Sequence, residues 1–418
     1  MSILRWFVRP FRKRKGKKAS TVGGTDKKAT TTNTFDAAEN KKFHNEEQQQ
    51  QNNTLIMSNN SPENDETILE KLNHDQMVLI TPSPSKGYLI YSLIENDPSS
   101  TEENSTPPFI LTTTNLSSSQ LPTSLTKFLL QPENTPPAHL HPSNPIHVLL
   151  CTHSGLKLAS SFYSTVLNPL LNTLGLTQDS QYKLTLTTSK NTIKEFASQL
   201  QGDEIILLLS GDGGVVDLIN SFASETKSPV IILLPLGTAN ALFHSLHKDE
   251  EQSQSQSPSS LVVALRTLIK GQVRKLPTFR VVFSAGSKFV ETEEEVKSLK
   301  GAIVASYGFH ASLVYESDTD HYRKFGAKRF GMAAGELLKL NHGYDCVVSI
   351  RTKGKEGFRV VREGEKFGYV LVTLVSNLEK TFTISPESRR LDGRLRLVYF
   401  GDLGEERTME GLGWVGGY

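Results

Sequence analysis

Two unbroken apolar runs, residues 205–209 (IILLL) and 230–234 (VIILL), are each followed at once by small residues, SGDGG at 210–214 and PLGTAN at 235–240. A short apolar run without polar alternation marks a strand covered on both faces, and such strands belong to parallel sheets flanked by helices. The same cadence starts at residues 146–151 (IHVLLC) and passes through a helical stretch, 157–175, that Gly175 closes. It continues with a strand at 183–189, a helix at 192–200 and a helix ending at Phe222. Alternation of this kind predicts an α/β fold, a doubly wound parallel sheet over residues 145–250 that forms the N-terminal of two lobes.

A polar insertion at 247–260 (HKDEEQSQSQSPSS) separates this lobe from amphipathic strands such as 274–284 (RKLPTFRVVFS). Residues 260–418 are therefore read as a β-rich, sandwich-like C-terminal domain, interrupted by one helical interval at 322–340. Upstream, residues 66–135 carry β-like patches between Pro and Ser clusters and predict a small accessory β unit, partly disordered. Residues 1–65 form a disordered tail, with Thr, Asn, Gln, Lys and Glu dominant after residue 20. The tract QQQQNN at 48–53 suggests a eukaryotic, fungal source.

The first 18 residues combine Ile3, Leu4, Trp6, Phe7, Val8 and Phe11 with eight basic residues and no acid. That mixture suits an anionic membrane surface, where aromatic groups enter the interface and Lys and Arg meet phosphates. A basic disordered tail and a mitochondrial presequence share the composition. With a net charge of +2 the chain has no global basic field for nucleic acid. Two cysteines, Cys151 and Cys346, give neither a zinc spacing nor a disulfide framework. The expectation is a cytoplasmic protein associated peripherally with membrane.

Ser210, Gly211, Asp212, Gly213 and Gly214 carry the strongest chemical signal, because they stand between a buried strand and the helix VVDLINSF. At the carboxyl edge of a parallel sheet, glycines let backbone N–H groups approach phosphate oxygens, and the following helix N-terminus favours an anion. An Asp there binds Mg²⁺ or accepts a proton from an attacking hydroxyl; an ordinary Asp-Gly turn is the plain alternative. Gly237, Thr238 and Asn240 make a second small-residue turn on the next strand, and two such turns side by side form a nucleotide-sized cleft.

This pair of loops resembles the diacylglycerol kinase catalytic domain superfamily. Asn240-Ala241-Leu242, Ser306-Tyr307-Gly308-Phe309, Glu316-Ser317, Tyr322-Arg323, Arg329-Phe330, Val375-Ser376-Asn377 and Leu391-Asp392-Gly393 look like its sphingosine and ceramide kinase branch. The resemblance spans about residues 145–405 and implies an ATP- and Mg²⁺-dependent kinase that phosphorylates a lipid hydroxyl. A sphingoid long-chain base comes first as acceptor, with diacylglycerol or ceramide next. It implies Asp212 as catalytic residue and metal ligand, Asp217 as the acidic residue on the following helix, and Gly211, Gly213 and Gly214 as the phosphate loop. Thr238 and Asn240 line the nucleotide, with Ser154 and Gly155 in the first loop, and Arg323 and Arg329 contact phosphates from the second domain. A solvated basic helix face is the alternative reading of those arginines. Phe309 and Ser312 fall at the lipid.

Three departures stand out. Thr152-His153-Ser154-Gly155 replaces the family's Asn-Pro-x-Gly-Gly, with Lys157 downstream. Ser312 stands where sphingosine kinases have Asp. The closing Asp-Gly-Glu strand does not occur before Tyr418. A catalytically impaired relative acting as a regulator is the competing expectation, and an NAD kinase-like enzyme is another.

Overall fold

The computed structural model describes residues 4–7, 64–96, 107–189, 191–222, 229–248, 257–326, 328–340, 343–351, 354, 356–361 and 366–401. Most of the stretch read as a tail therefore lies outside the described residues. Within it, the backbone of β1 (Leu4–Phe7) pairs antiparallel with a strand of the C-terminal lobe, Leu4 opposite Ile350. Helix α1 (Asp65–Lys71) precedes a three-stranded antiparallel sheet, β2 (Met77–Pro82), β3 (Tyr88–Glu95) and β4 (Phe109–Leu116), in the region read as an accessory unit.

The α/β lobe opens with β5 (Ile146–Leu150). Ala159–Phe162, Tyr163–Leu167 and Asn168–Thr173 run on as one helix, α2, with a π-helical turn in its middle. Pro169 sits just past that turn, and its missing N–H accounts for the altered hydrogen-bond register. Then come β6 (Tyr182–Leu186), α3 (Thr192–Ser198), β7 (Ile205–Ser210), α4 (Asp212–Ser221), β8 (Val230–Pro235), α5 (Ala241–Leu246) and α6 (Ser260–Lys270). The four strands are parallel in the order β6-β5-β7-β8. Every residue of β7 is buried, as its unbroken apolar sequence requires of a strand covered on both sides. The direction of winding reverses between β5 and β7, which puts a crevice at their carboxyl ends.

Helix α6 belongs to this lobe and not to the 260–418 unit assigned from sequence. Leu261, Val262, Leu265 and Leu268 pack in one apolar cluster with Val148, Leu207 and Leu234 of the sheet. The same cluster takes in Val78, Leu79, Leu93 and Phe109, so the accessory sheet shares its core with the α/β lobe. Polar contacts reinforce the joint. Arg266 donates through Nε to the Met77 carbonyl (2.8 Å) and through Nη2 to that of His74 (2.6 Å), and Lys270 Nζ donates to the carbonyls of Lys127 and Leu129.

The second lobe holds the hairpin β9 (Phe279–Val282) and β10 (Ser298–Gly301), then β11 (Val304–Gly308), α7 (Phe309–Ser317), α8 (Asp320–Arg323) and α9 (Lys328–Lys339). After these come β12 (Val347–Ile350), β13 (Arg359–Val360), β14 (Phe367–Thr373) and β15 (Arg396–Gly401). Two antiparallel sheets, β11-β14-β15 and β1-β12-β13, meet through Val348, Phe367 and Val370. Helices α7 and α9 cover the first sheet through Phe309, Ala334 and Leu338, so the lobe has a helical layer that the sandwich reading lacked. The helix expected over 322–340 is broken at Gly326, which has φ +56° and takes the left-handed conformation that ends a helix. Among the described residues no helix is long and apolar enough to cross a membrane.

Removal of the Arg266 side chain should loosen the accessory sheet. Arg266→Ala is expected to cost about 2 kcal/mol in urea unfolding and to speed amide exchange in β2–β4.

Candidate active site

Three chain segments meet at the carboxyl edge of the parallel sheet, and the packing between their backbones leaves no room for side chains. A Cβ on Gly237 would lie 2.3 Å from the Gly211 Cα, and one on Gly155 would lie 2.4 Å from the Leu236 carbonyl oxygen. Glycine at these points lets the turns after β5, β7 and β8 touch, as their placement at the crevice demands. Gly214, by contrast, seats α4 against β7, since a Cβ there would meet the Ser210 Oγ at 2.5 Å. Gly213 is exposed, with no atom within 4 Å of a Cβ built on it.

The segment 210–214, expected as a glycine loop, is mostly helix. Gly211 is the N-cap residue, and Asp212 opens the first turn of α4. The Asp212 carboxylate bridges to the next turn of chain: the backbone N–H groups of Ala241 and Leu242 donate to its Oδ2 (2.7 Å) and Oδ1 (3.1 Å). Desolvation raises its pKa above the usual carboxylate range, opposed by those two hydrogen bonds and by nearby His244. An ionised carboxylate offers about four acceptor positions, so each oxygen keeps capacity beyond its amide partner.

Asn240 works on its own loop. Held at φ +55°, it accepts from the Gly237 N–H at Oδ1 (3.1 Å) and donates from Nδ2 to the Gly237 carbonyl (3.0 Å). Its side chain thus braces the turn, while partly exposed Thr238 stands at the tip. Ser154 is likewise part of a turn, its N–H donating to the Cys151 carbonyl (3.1 Å).

Asp217 lies one turn and a half along α4, and burial raises its pKa, with Lys194 opposing and Glu291 of the second lobe adding to the rise. Arg323 also feels Glu291. The two arginines converge on Asp318: Arg323 donates from Nε and Nη2 to both carboxylate oxygens (3.0 Å each), and Arg329 Nη1 lies 3.5 Å from Oδ1. Arg329 Nε is buried with no hydrogen-bond partner among the described residues. The arginine segment reaches the first loop, because a Cβ on Gly326 would sit 2.9 Å from Leu156 Cδ2. Ser312 Oγ is 2.9 Å from Tyr344 Oη, and Phe309, the first residue of α7, is buried.

Sequence reasoning passed over Asp318, His244, Glu291 and Glu379. The last two lie in the second lobe, far along the chain from the residues they approach; His244 influences both Asp212 and Glu379 across the junction. The lobes are fastened there by reciprocal bonds. Ser245 Oγ donates to the Asn377 carbonyl (3.2 Å) and accepts from its N–H (3.0 Å), Asn220 and Lys300 exchange bonds of 2.8 and 2.7 Å, and Arg390 Nη1 donates to the Leu246 carbonyl (2.8 Å).

A parallel-sheet edge with a helix N-terminus and touching glycine turns presents backbone N–H groups that an anion such as phosphate can meet. Residues 145–281 match the family model of the diacylglycerol kinase catalytic domain. The chain is similar to the diacylglycerol kinase of Staphylococcus carnosus (strain TM300), 25% identical over 118 residues, which cover 27% of this chain and 36% of the relative. It thus spans about a third of that relative's length. A solved diacylglycerol kinase structure from Bacillus anthracis str. Sterne aligns at 15% identity with a TM-score of 0.41, covering 65% of this chain and 78% of that one. A second structure from the same organism gives 0.45 at the same identity, covering 65% and 80%.

The glycines should respond in opposite directions. Gly237→Ala is expected to destabilise by about 3 kcal/mol through overpacking against Gly211, whereas Gly213→Ala should stabilise α4 by about 0.5–1 kcal/mol. Chemical denaturation of both variants checks the contrast.

Proposed function

We propose that this protein is a lipid kinase that transfers the γ-phosphoryl group of ATP to a lipid hydroxyl, with Asp212 as general base. The bridge from Asp212 to the Ala241 and Leu242 amides carries the proposal. It fixes a desolvated carboxylate at the point where the glycine turns and the α4 N-terminus converge. The match of residues 145–281 to the diacylglycerol kinase catalytic domain supports the reaction class.

The residues fit Mg²⁺-ATP. The free surface over Gly213 and the N–H groups opening α4 suit phosphate oxygens. No group of three or more His, Cys, Asp or Glu side chains gathers among the described residues, but Mg²⁺ needs only one or two carboxylates beside phosphate and water. Asp212 and Asp217 are those carboxylates. Mg²⁺-ATP, when bound, supplies the transferred group with its charge partly neutralised. Asp212 orients the acceptor hydroxyl and takes its proton. Arg323 and Arg329 meet the charge that spreads over the transferred group, Arg329 with an Nε that has no partner among the described residues as a donor in reserve.

The acceptor sits against the β-rich lobe near Phe309, and diacylglycerol, ceramide and sphingoid bases all present a suitable hydroxyl. Ser312, bonded to Tyr344, gives a cationic head group less attraction than a carboxylate. The basic N-terminal segment holds the lobe at an anionic bilayer, in keeping with the pairing of β1 to β12.

Phosphate transfer from labelled Mg²⁺-ATP to lipids in mixed micelles tests the proposal. Asp212→Asn should lower kcat by about 10²–10⁴-fold with the fold retained and ATP affinity changed by only a few-fold. ATP binding without transfer to any lipid would favour the impaired, regulatory relative instead. Since Asp212 must be ionised to accept a proton and burial raises its pKa, the acid limb of kcat/KM should lie above the pH of an exposed Asp, with activity recovering as pH rises through it.

A further inference from the structure

Ser245 is 6% exposed on α5, and its hydroxyl turns to the second lobe. Oγ donates to the Asn377 carbonyl (3.2 Å) and accepts from the N–H of the same residue (3.0 Å). A hydroxyl can do both at once. Alanine would leave a buried amide and a buried carbonyl of Asn377, itself 1% exposed, without that partner. At the other end of the same short helix, the N–H groups of Ala241 and Leu242 hold the Asp212 carboxylate. Ala241 and Ser245 are four residues apart and so share one face of α5.

The Asn377 end of this link is stiff. Thr373 closes β14 onto the residues that follow, its Oγ1 donating to the Val375 carbonyl (2.8 Å) and accepting from the Val375 N–H (2.9 Å). Ser376 Oγ donates to Asn377 Oδ1 (2.8 Å), and the Ser376 carbonyl accepts from the N–H groups of Ile384 (2.9 Å) and Ser385 (3.0 Å). Leu378 and Ile384 pack with Phe309, Ala334 and Leu338, so the loop belongs to the core of the second lobe. Packing alone does not set where α5 lies. A small cavity lined by Leu242, Ser245, Leu276, Ala302, Val375 and Ser376 borders the helix on this side, and six helical residues have little stability of their own. Another polar tie, from Arg390 to the Leu246 carbonyl, comes from an exposed side chain that water can replace.

We propose that Ser245 is a positioning residue for phosphoryl transfer: its hydroxyl sets α5 in register on the Asn377 loop and so fixes where Asp212 stands relative to the lobe that presents the acceptor. Ser245 acts through α5 and Asp212 and needs no contact with either substrate. A misplacement of about 1 Å at a reacting group can slow chemistry by about 10²-fold, so a single bond far along the helix has leverage on the rate. The reaction it serves is the lipid phosphorylation proposed above, on which this inference rests, whereas the link itself is measurable without turnover.

Amide exchange at Ala241 and Leu242, kcat, and the KM for Mg²⁺-ATP with diacylglycerol in mixed micelles are measured for the full chain and for Ser245→Ala, Ser245→Thr and Asn220→Ala. Ser245→Ala should speed exchange at both amides about tenfold, as loss of one hydrogen bond corresponds to, and lower kcat about 10–10²-fold with the KM for ATP unchanged. Ser245→Thr keeps the hydroxyl and should recover most of both losses. Asn220→Ala cuts a different bond between the lobes, the one to Lys300, and should lower the thermal midpoint while exchange at Ala241 and Leu242 and kcat stay as in the full chain. Unchanged exchange or unchanged kcat in Ser245→Ala, an equal loss of kcat in Asn220→Ala, or an effect confined to KM overturns the proposal. Transfer to no lipid by the full chain, together with the expected exchange pattern, would sink the kinase reading and leave the α5 link standing.

Discussion

The hydrogen bonds from the Ala241 and Leu242 amides to the Asp212 carboxylate organise everything around them. They tie the start of α4 to the start of α5, so that the turns after β7 and β8 form one surface. A carboxylate at a helix N-terminus complements the exposed N–H groups and their partial positive charge. Replaced by an apolar side chain, it would leave two amides without acceptors at the centre of the crevice. The same bonds that stabilise the turn therefore fix the Asp212 carboxylate at this crevice.

From there the constraint passes to the second lobe. Helix α5 is held at its N-terminal end by Asp212 and at its C-terminal end by the reciprocal Ser245–Asn377 pair and by Arg390. A helix of only six residues has little stability of its own. Its position is set by these attachments and by burial of Ala241, Leu242 and Phe243. The arginine segment is arranged on a separate support, since Asp318 at the end of α7 gathers both Arg323 and Arg329 and Gly326 brings the turn onto Leu156. Pairing with Asp318 keeps two guanidinium groups close together, an arrangement that like charge would otherwise resist.

Legibility in the sequence followed the range of the interactions. The strands of the parallel sheet were readable because burial on both faces leaves an unbroken apolar run, as in residues 205–209. Gly211, Asp212 and Gly237 were readable because a tight turn restricts which residues can stand there. Helix α7 was missed, since its buried residues, Phe309 and Ser317, make no apolar stripe. The break at Gly326 was missed as well, because a single glycine inside a helical pattern is often tolerated. Helix α6 was put in the wrong lobe: its apolar face fits any core, and only the packing against Leu207 and Leu234 decides which.

What the sequence determined by itself was the alternation of buried strands with helices and the placing of glycines and Asp212 at the strand ends, for these depend on period and local conformation alone. Only the tertiary structure decided that Asn240 braces its own turn, that Arg323 and Arg329 share Asp318, and that Asn377 locks α5. The Asn377 lock depends on atoms that meet across a long separation in the chain, and the nearby pairs, Asn240 with Gly237 and the arginines with Asp318, depend on side-chain conformation; neither leaves a periodic trace in the residues between.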